Sequence, residues 1–235
     1  MKQEEAIALA RRVYPRLPFD CVFDVGANCG QSSLAFLGLF PAARIHAFEP
    51  VSASFAELCR AVEGEPRVAC HRLALGSAEG EVRVTTSGTS VSNAILRDGA
   101  TVASEPVRRE TGDGFCAAHG IERIGYLKID TEGHDLEVLR GFSGMLRDQK
   151  VDFLEVEAGM HHHNDKHVPI GEFLGFLSPL GYFLFRVAEQ AFERHNRLHL
   201  RRSNLVFVSD RAVRSNLAPD FRNKRFPAYP RQPVA

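Results

Sequence analysis

Apolar runs of strand length and stretches of helical periodicity alternate along this chain. Residues 3–13 predict a short helix that ends before Tyr14-Pro15, and the apolar run 21–25 predicts a first buried strand. A helix over 31–40, stopped by Pro41, leads to a second strand at 44–48. Residues 52–63 carry Phe55, Leu58, Ala61 and Val62 at helical spacing, and 67–73 predict a third strand.

Gly76-Ser77-Ala78-Glu79-Gly80 interrupts this alternation, and Val82 and Val84 then recur at strand spacing. That pattern predicts a small hairpin extension in place of another βαβ unit. Residues 86–100, rich in Ser, Thr, Gly and Asn, read as a long loop of the kind that covers or contacts a ligand. Beyond it the spacing predicts a strand over 102–109, a short helix over 113–119, a strand at 124–129, a helix over 134–147 and a strand at 151–157. A helix at 169–179 and strands near 182–188 and 203–209 complete the order. No crossover helix separates the last two strands, so they pair antiparallel. The class is α/β, a mostly parallel sheet with helices on both faces. Residues 1–20 form an N-terminal helix and lead-in and 21–210 the domain; 211–235, with Arg211, Arg214, Arg222, Lys224, Arg225 and Arg231 among prolines, form a basic, poorly packed tail.

The first strand ends in chemistry. Val22-Phe23-Asp24-Val25-Gly26-Ala27-Asn28-Cys29-Gly30 is an apolar run closing on an aspartate and a loop with two glycines, and Ser32 falls in the first turn of the helix that follows. Glycine lets a backbone take positive φ or approach a ligand, and the new helix points N–H groups over the loop. The next strand ends in Phe48-Glu49-Pro50, placing a carboxylate where it can accept from both ribose hydroxyls. Asn28 stands where dinucleotide enzymes carry the glycine that admits a pyrophosphate. S-adenosylmethionine has no pyrophosphate and suits the loop better, with Asp24 placed to neutralise its positive charge. A glycine turn that merely packs helix on strand would share the loop; it would not require Glu49.

Tyr126-Leu127-Lys128-Ile129-Asp130-Thr131-Glu132-Gly133-His134 ends a later strand on the same rim. Two carboxylates and a lysine there can supply a base, orient a hydroxyl or hold a cation; the bland alternative is that Asp130 or Glu132 caps the next helix. Asp130 is the first choice for the base or orienting group, followed by Glu132, His134 and Glu157, with Lys128 beside them. Glu155 and Glu157 lie on one face of the following strand. Mg2+ between Asp130 and Glu157 is an alternative way to lower a hydroxyl's pKa. His161-His162-His163 and His167 lack the spacing that sets two imidazoles on one helix face, so no metal site is assigned to them, although His161 or His163 could serve as an acid–base group.

Composition narrows the setting. A formal net charge of zero gives no global field to recruit nucleic acid or an anionic membrane. The five scattered cysteines form no Cys-x-x-Cys pair, no leader-type core follows Met1, and no apolar run approaches the ~20 residues that span a bilayer. A soluble, cytoplasmic protein is expected, with a homo-oligomer left open.

Taken together, Phe23-Asp24-Val25-Gly26-Ala27-Asn28-x-Gly30, Phe48-Glu49-Pro50, Ala74-Leu75-Gly76 with Gly80, Leu127-Lys128-Ile129-Asp130-x-Glu132-Gly133, Val138-Leu139-x-Gly141 and Ser203-Asn204-Leu205-Val206-Phe207 resemble the FkbM family of S-adenosylmethionine-dependent methyltransferases. The resemblance implies a class I methyltransferase fold (a Rossmann-like three-layer sandwich with an antiparallel last strand) and O-methylation of a hydroxyl on a small molecule or saccharide. It puts Gly26, Asn28, Gly30 and Glu49 in the cofactor pocket, Ala74 and Leu75 near the adenine, and Asp130 and Glu132 on the signature carboxylates. Three rivals are a nicotinamide-dependent oxidoreductase, a module that binds S-adenosylmethionine without turnover, and a nucleic-acid methyltransferase. The basic tail prompts the last, and the neutral charge and the absence of an Asn/Asp-Pro-Pro-aromatic motif oppose it.

Overall fold

Strand β1 (Cys21–Val25) is buried on both faces, as a near-continuous apolar run demands. The computed structural model describes residues 2–86, 103–161, 164, 166–193 and 199–216. Helix α1 (Gln3–Val13) precedes β1, and α2 (Gln31–Leu39), β2 (Arg44–Phe48), α3 (Ser52–Ala61) and β3 (Val68–His71) follow it. Next come β4 (Ala74–Leu75), β5 (Gly80–Thr85), β6 (Ser104–Glu110), α4 (Gly112–Ala118) and β7 (Ile124–Ile129). The chain continues through α5 (Asp135–Gly141), α6 (Ser143–Arg147), β8 (Val151–Gly159), α7 (Ile170–Leu177), β9 (Tyr182–Phe192), β10 (Leu200–Ser209) and α8 (Asp210–Asn216).

Seven strands form the main sheet in the order β3-β2-β1-β7-β8-β10-β9, with β10 antiparallel to both neighbours. Register sorts the core into two layers. Val22, Tyr126 and Phe153 lie in one row and pack with α1 and α2 through Ile7, Phe36 and Phe40. Phe23, Leu127 and Leu154, one residue on, pack on the other face with Phe115, Leu139 and Phe142. The order reverses at β1 and β7, and ligands of open α/β sheets bind at such a switch point.

Four expectations change. The helix expected over 134–147 breaks at Phe142, because the Asp113 carboxylate accepts from the Gly144 and Met145 amides (2.6 and 2.9 Å) and starts α6. The third strand, expected over 67–73, ends at His71, and Ala74–Leu75 just beyond the expected bounds form β4, which joins a separate sheet, β4-β6-β5. Helix α1 is more than a lead-in, since Ala6, Ile7 and Ala10 are buried in the core. The tail begins as α8, with Ala212 buried, while residues 217–235 lie outside the described residues, as do 87–102, which include all but Thr86 of the loop expected over 86–100. Among the described residues no helix is long and apolar enough to cross a membrane.

Candidate functional site

The β1–α2 loop is pressed onto the end of β7. Gly26 has φ +81°, and a Cβ there would stand 1.9 Å from the main-chain oxygen of Asp130. The Gly26 and Ala27 amides donate to the Phe48 carbonyl at 3.0 and 2.9 Å, so the loop is tied to β2 as well. Asn28 takes φ +50°, which its short polar side chain tolerates, and Gly30 begins α2 at φ +90° with Leu58 against it. Ala27 and Gly30 are buried, and Ser32 and Pro50 half-buried.

Glu49 organises this loop. One carboxylate oxygen accepts from the Asn28 amide (2.9 Å) and the other from the Val51 amide (2.8 Å). Burial raises its pKa, against the lowering effect of those two bonds. Each oxygen keeps a second lone pair.

Asp24 lies fully buried behind the loop, a correction to the expectation that it faces ligand charge. Ser33 donates to its Oδ2 at 2.7 Å, a partner that sequence spacing did not assign. Register sets Asp24, Lys128 and Glu155 side by side across β1, β7 and β8. Lys128 Nζ stands 3.7 Å from Asp24 Oδ1 and 3.1 Å from Asp130 Oδ2. Desolvation would lower the lysine's pKa, but Asp130, Asp24 and Glu155 together hold it above its usual value. Lys128 is therefore a buried counter-charge. Glu155 is held beyond it by Tyr126 Oη (2.5 Å) and Asn204 Nδ2 (2.6 Å).

Asp130 keeps 37% of its side-chain surface exposed and is held below the usual carboxylate range by Lys128. Glu132 follows at φ +52°, with a pKa raised by burial and by Asp130. Gly133 then turns at φ +98°, where a Cβ would meet the Lys166 carbonyl at 2.7 Å. Neither carboxylate caps α5, because the N-cap position is His134, which makes no side-chain cap bond. The Val138 amide donates to the His134 carbonyl at 3.1 Å, and His134 acts electrostatically on Glu137. The bland alternative for this signature thus falls.

Several polar groups that motif spacing could not join meet here. Buried Asp135 accepts from Thr131 Oγ1 (3.2 Å), and burial, then Asp130, pushes its pKa up to about 7. Glu157 contacts His167 Nε2 at 2.6 Å and is paired with Arg202. His167 Nδ1 faces Asn164 Oδ1 at 2.9 Å, so both ring nitrogens meet oxygens. Burial lowers the His167 pKa against the upward pull of Glu132 and Asp135. Arg202 acts on both Asp130 and Glu132, and β10 shifts register on either side of it, a bulge that re-aims side chains near a rim.

These pairings argue against Mg2+ between Asp130 and Glu157, since Lys128 and Arg202 already supply positive charge and His167 Nε2 occupies a Glu157 oxygen. Ala74 and Leu75 are buried strand residues; Ala74 packs with Val51, Val84 and Val107, and Leu75 enters the main core. Gly141 has a clear task, because a Cβ there would lie 2.1 Å from the Gly76 carbonyl oxygen, and a Cβ on Gly76 would in turn meet the Arg109 side chain at 2.9 Å. Two glycines of the sequence pattern thus mark one close approach of α5. His162 and His163 lie outside the described residues.

The strand order and the loop–carboxylate rim are those of a class I methyltransferase fold. One structural relative is the magnesium protoporphyrin IX methyltransferase of Synechocystis PCC 6803, solved with bound S-adenosylmethionine; it matches at TM-score 0.50 and 10% identity over 88% of this chain and 77% of that one. M. capricolum TrmK with S-adenosyl-homocysteine matches at TM-score 0.48 and 10% identity, over 86% and 68%. The methyltransferase FkbM domain matches residues 24–184, and the chain belongs to that family. Hexuronic acid methyltransferase AglP of Haloferax volcanii is 27% identical over 142 residues, which is 60% of this chain and 57% of that protein. The nicotinamide alternative finds no support in these relationships.

Proposed function

We propose that this protein is an S-adenosylmethionine-dependent O-methyltransferase whose acceptor is a hydroxyl of a saccharide. The observation that carries the proposal is the packing of Gly26 on the Asp130 carbonyl, which makes a cofactor-type loop and a carboxylate-rich rim into one crevice. The loop fits the cofactor: Gly26 and Gly30 take conformations that favour glycine, and Glu49 is fixed with lone pairs to spare. Gly26, Ala27, Asn28, Gly30 and Glu49 would hold it, with Glu49 serving the ribose. When bound, S-adenosylmethionine supplies an electrophilic methyl group.

The chain's own residues align and deprotonate the acceptor. Glu132, whose pKa is raised, is the better base, because the ideal pKa of such a group lies near the working pH. Asp130, locked to Lys128 and held below the usual carboxylate range by it, orients the hydroxyl instead. His167 is tied at both nitrogens and braces Glu157. A rim of Asp130, Glu132, Lys166 and Arg202 suits a polyol, which agrees with the hexuronic acid named for the Haloferax relative.

Calorimetry with S-adenosylhomocysteine, followed by methyl-transfer assays over uronic acid glycosides and neutral sugars, tests the proposal. Binding with transfer to a sugar oxygen is expected. Binding without transfer to any acceptor would favour the cofactor-binding module, and absence of binding would end the proposal.

A further inference from the structure

Three side chains outside this crevice converge where β8, β9 and β10 meet. His161 follows β8, Glu193 follows β9, and His199 precedes β10. Their nearest ligand atoms all lie within 4.8 Å of one another, with His161 Nε2 and Glu193 Oε1 at 3.0 Å. The two imidazole rings meet edge to face, centroids 5.0 Å apart. Main-chain bonds hold the three positions: Glu193 N to the His199 carbonyl at 3.2 Å, and Met160 N to the Arg201 carbonyl at 3.0 Å. The histidine run carried no metal spacing by itself; the β9–β10 hairpin supplies the other two donors.

From this geometry we infer that His161, Glu193 and His199 form a binding site for a divalent transition-metal ion, zinc by choice of donors. Two imidazoles and a carboxylate match zinc, whereas magnesium and calcium take oxygen ligands. Zinc bonds of this kind put tetrahedral donors roughly 3.3 Å apart, and the His161–Glu193 pair already stands at 3.0 Å with all three donors within 4.8 Å. Three protein donors leave one position for water. The ion clips the end of β8 to the start of β10, three residues before Arg202, and so fixes the edge of the rim that carries Glu157 and Arg202. This site stands or falls independently of methyl transfer.

The test uses untagged, chelator-stripped full-length protein, titrated with zinc in competition with a chromophoric chelator, and with cobalt for its tetrahedral absorption bands. Expected are one ion per chain, a raised melting temperature with zinc, and at least about 100-fold weaker binding in His199→Ala and in Glu193→Gln, beyond the 10–100-fold typical of losing an outer-shell partner. His199 is exposed, so its variant should melt with the metal-free wild type. Absence of zinc binding, or affinity changed less than tenfold in both variants, overturns the assignment and leaves a His161–Glu193 ion pair.

Discussion

The main-chain oxygen of Asp130 occupies the space that a side chain on Gly26 would need, 1.9 Å from the Cβ position. Gly26→Ala must therefore move β1's loop off β7, besides the ~1–2 kcal/mol of a left-handed alanine. S-adenosylhomocysteine affinity should fall at least about tenfold in calorimetry. Gly38→Ala, in open space on α2, is the control and should leave affinity intact and stability equal or higher.

Lys128 is the cation between Asp24 and Asp130. Lys128→Met leaves Asp24 buried without its counter-charge and should cost about 3–5 kcal/mol in urea denaturation. Adding Asp24→Asn should restore part of that loss; an unchanged midpoint in the single variant would reject the pairing.

Glu132→Gln should lower kcat by roughly 10²–10⁴-fold while cofactor affinity stays constant. In the wild type, the rate should climb with pH through the raised Glu132 pKa, because the carboxylate is the form that takes a proton. Full turnover in this variant would return the role to Asp130.

His46 and His71 face each other at 3.1 Å beside Phe115, and burial drives both pKa values down to about 4. The unfolded chain takes up these protons near pH 6.5, before the folded one does. Stability is therefore fully present above about pH 6.5 and should decline toward pH 4, by at most about 1.4 kcal/mol per pH unit for each ring. His71→Gln should flatten that slope in melts recorded across the range.

Asp135 behaves in the opposite sense. Its pKa of about 7 means the folded state holds a proton that the unfolded state has released above pH 4, so the group's contribution drops as pH rises from 4 to 7. Asp135→Asn should raise the melting temperature at pH 8 and leave it unchanged at pH 4.

Periodicity sufficed for β1, α2, β2, β7 and the β9–β10 hairpin, because each is a run whose burial depends on its own residues. It failed where distant groups decide. The start of α6 depends on Asp113 from another helix, and the two-residue β4 is defined by its pairing with Arg109 and Glu110. Asp24, Glu49 and Asp130 were visible as carboxylates at strand ends, but their partners were not. That Asp24 turns inward follows from Ser33 and Lys128. The link from His167 through Glu157 to Arg202 joins a loop to strands far apart in sequence, and no local spacing announces it.

Because β10 runs against its neighbours, its opening residues, not its closing ones, reach the working edge. The two banks of the crevice are thus drawn from opposite halves of the chain: Gly26 and Glu49 come from the first fifty residues, Arg202 from beyond two hundred. On the proposed function, substitutions on the late bank should change acceptor preference and leave S-adenosylhomocysteine affinity intact.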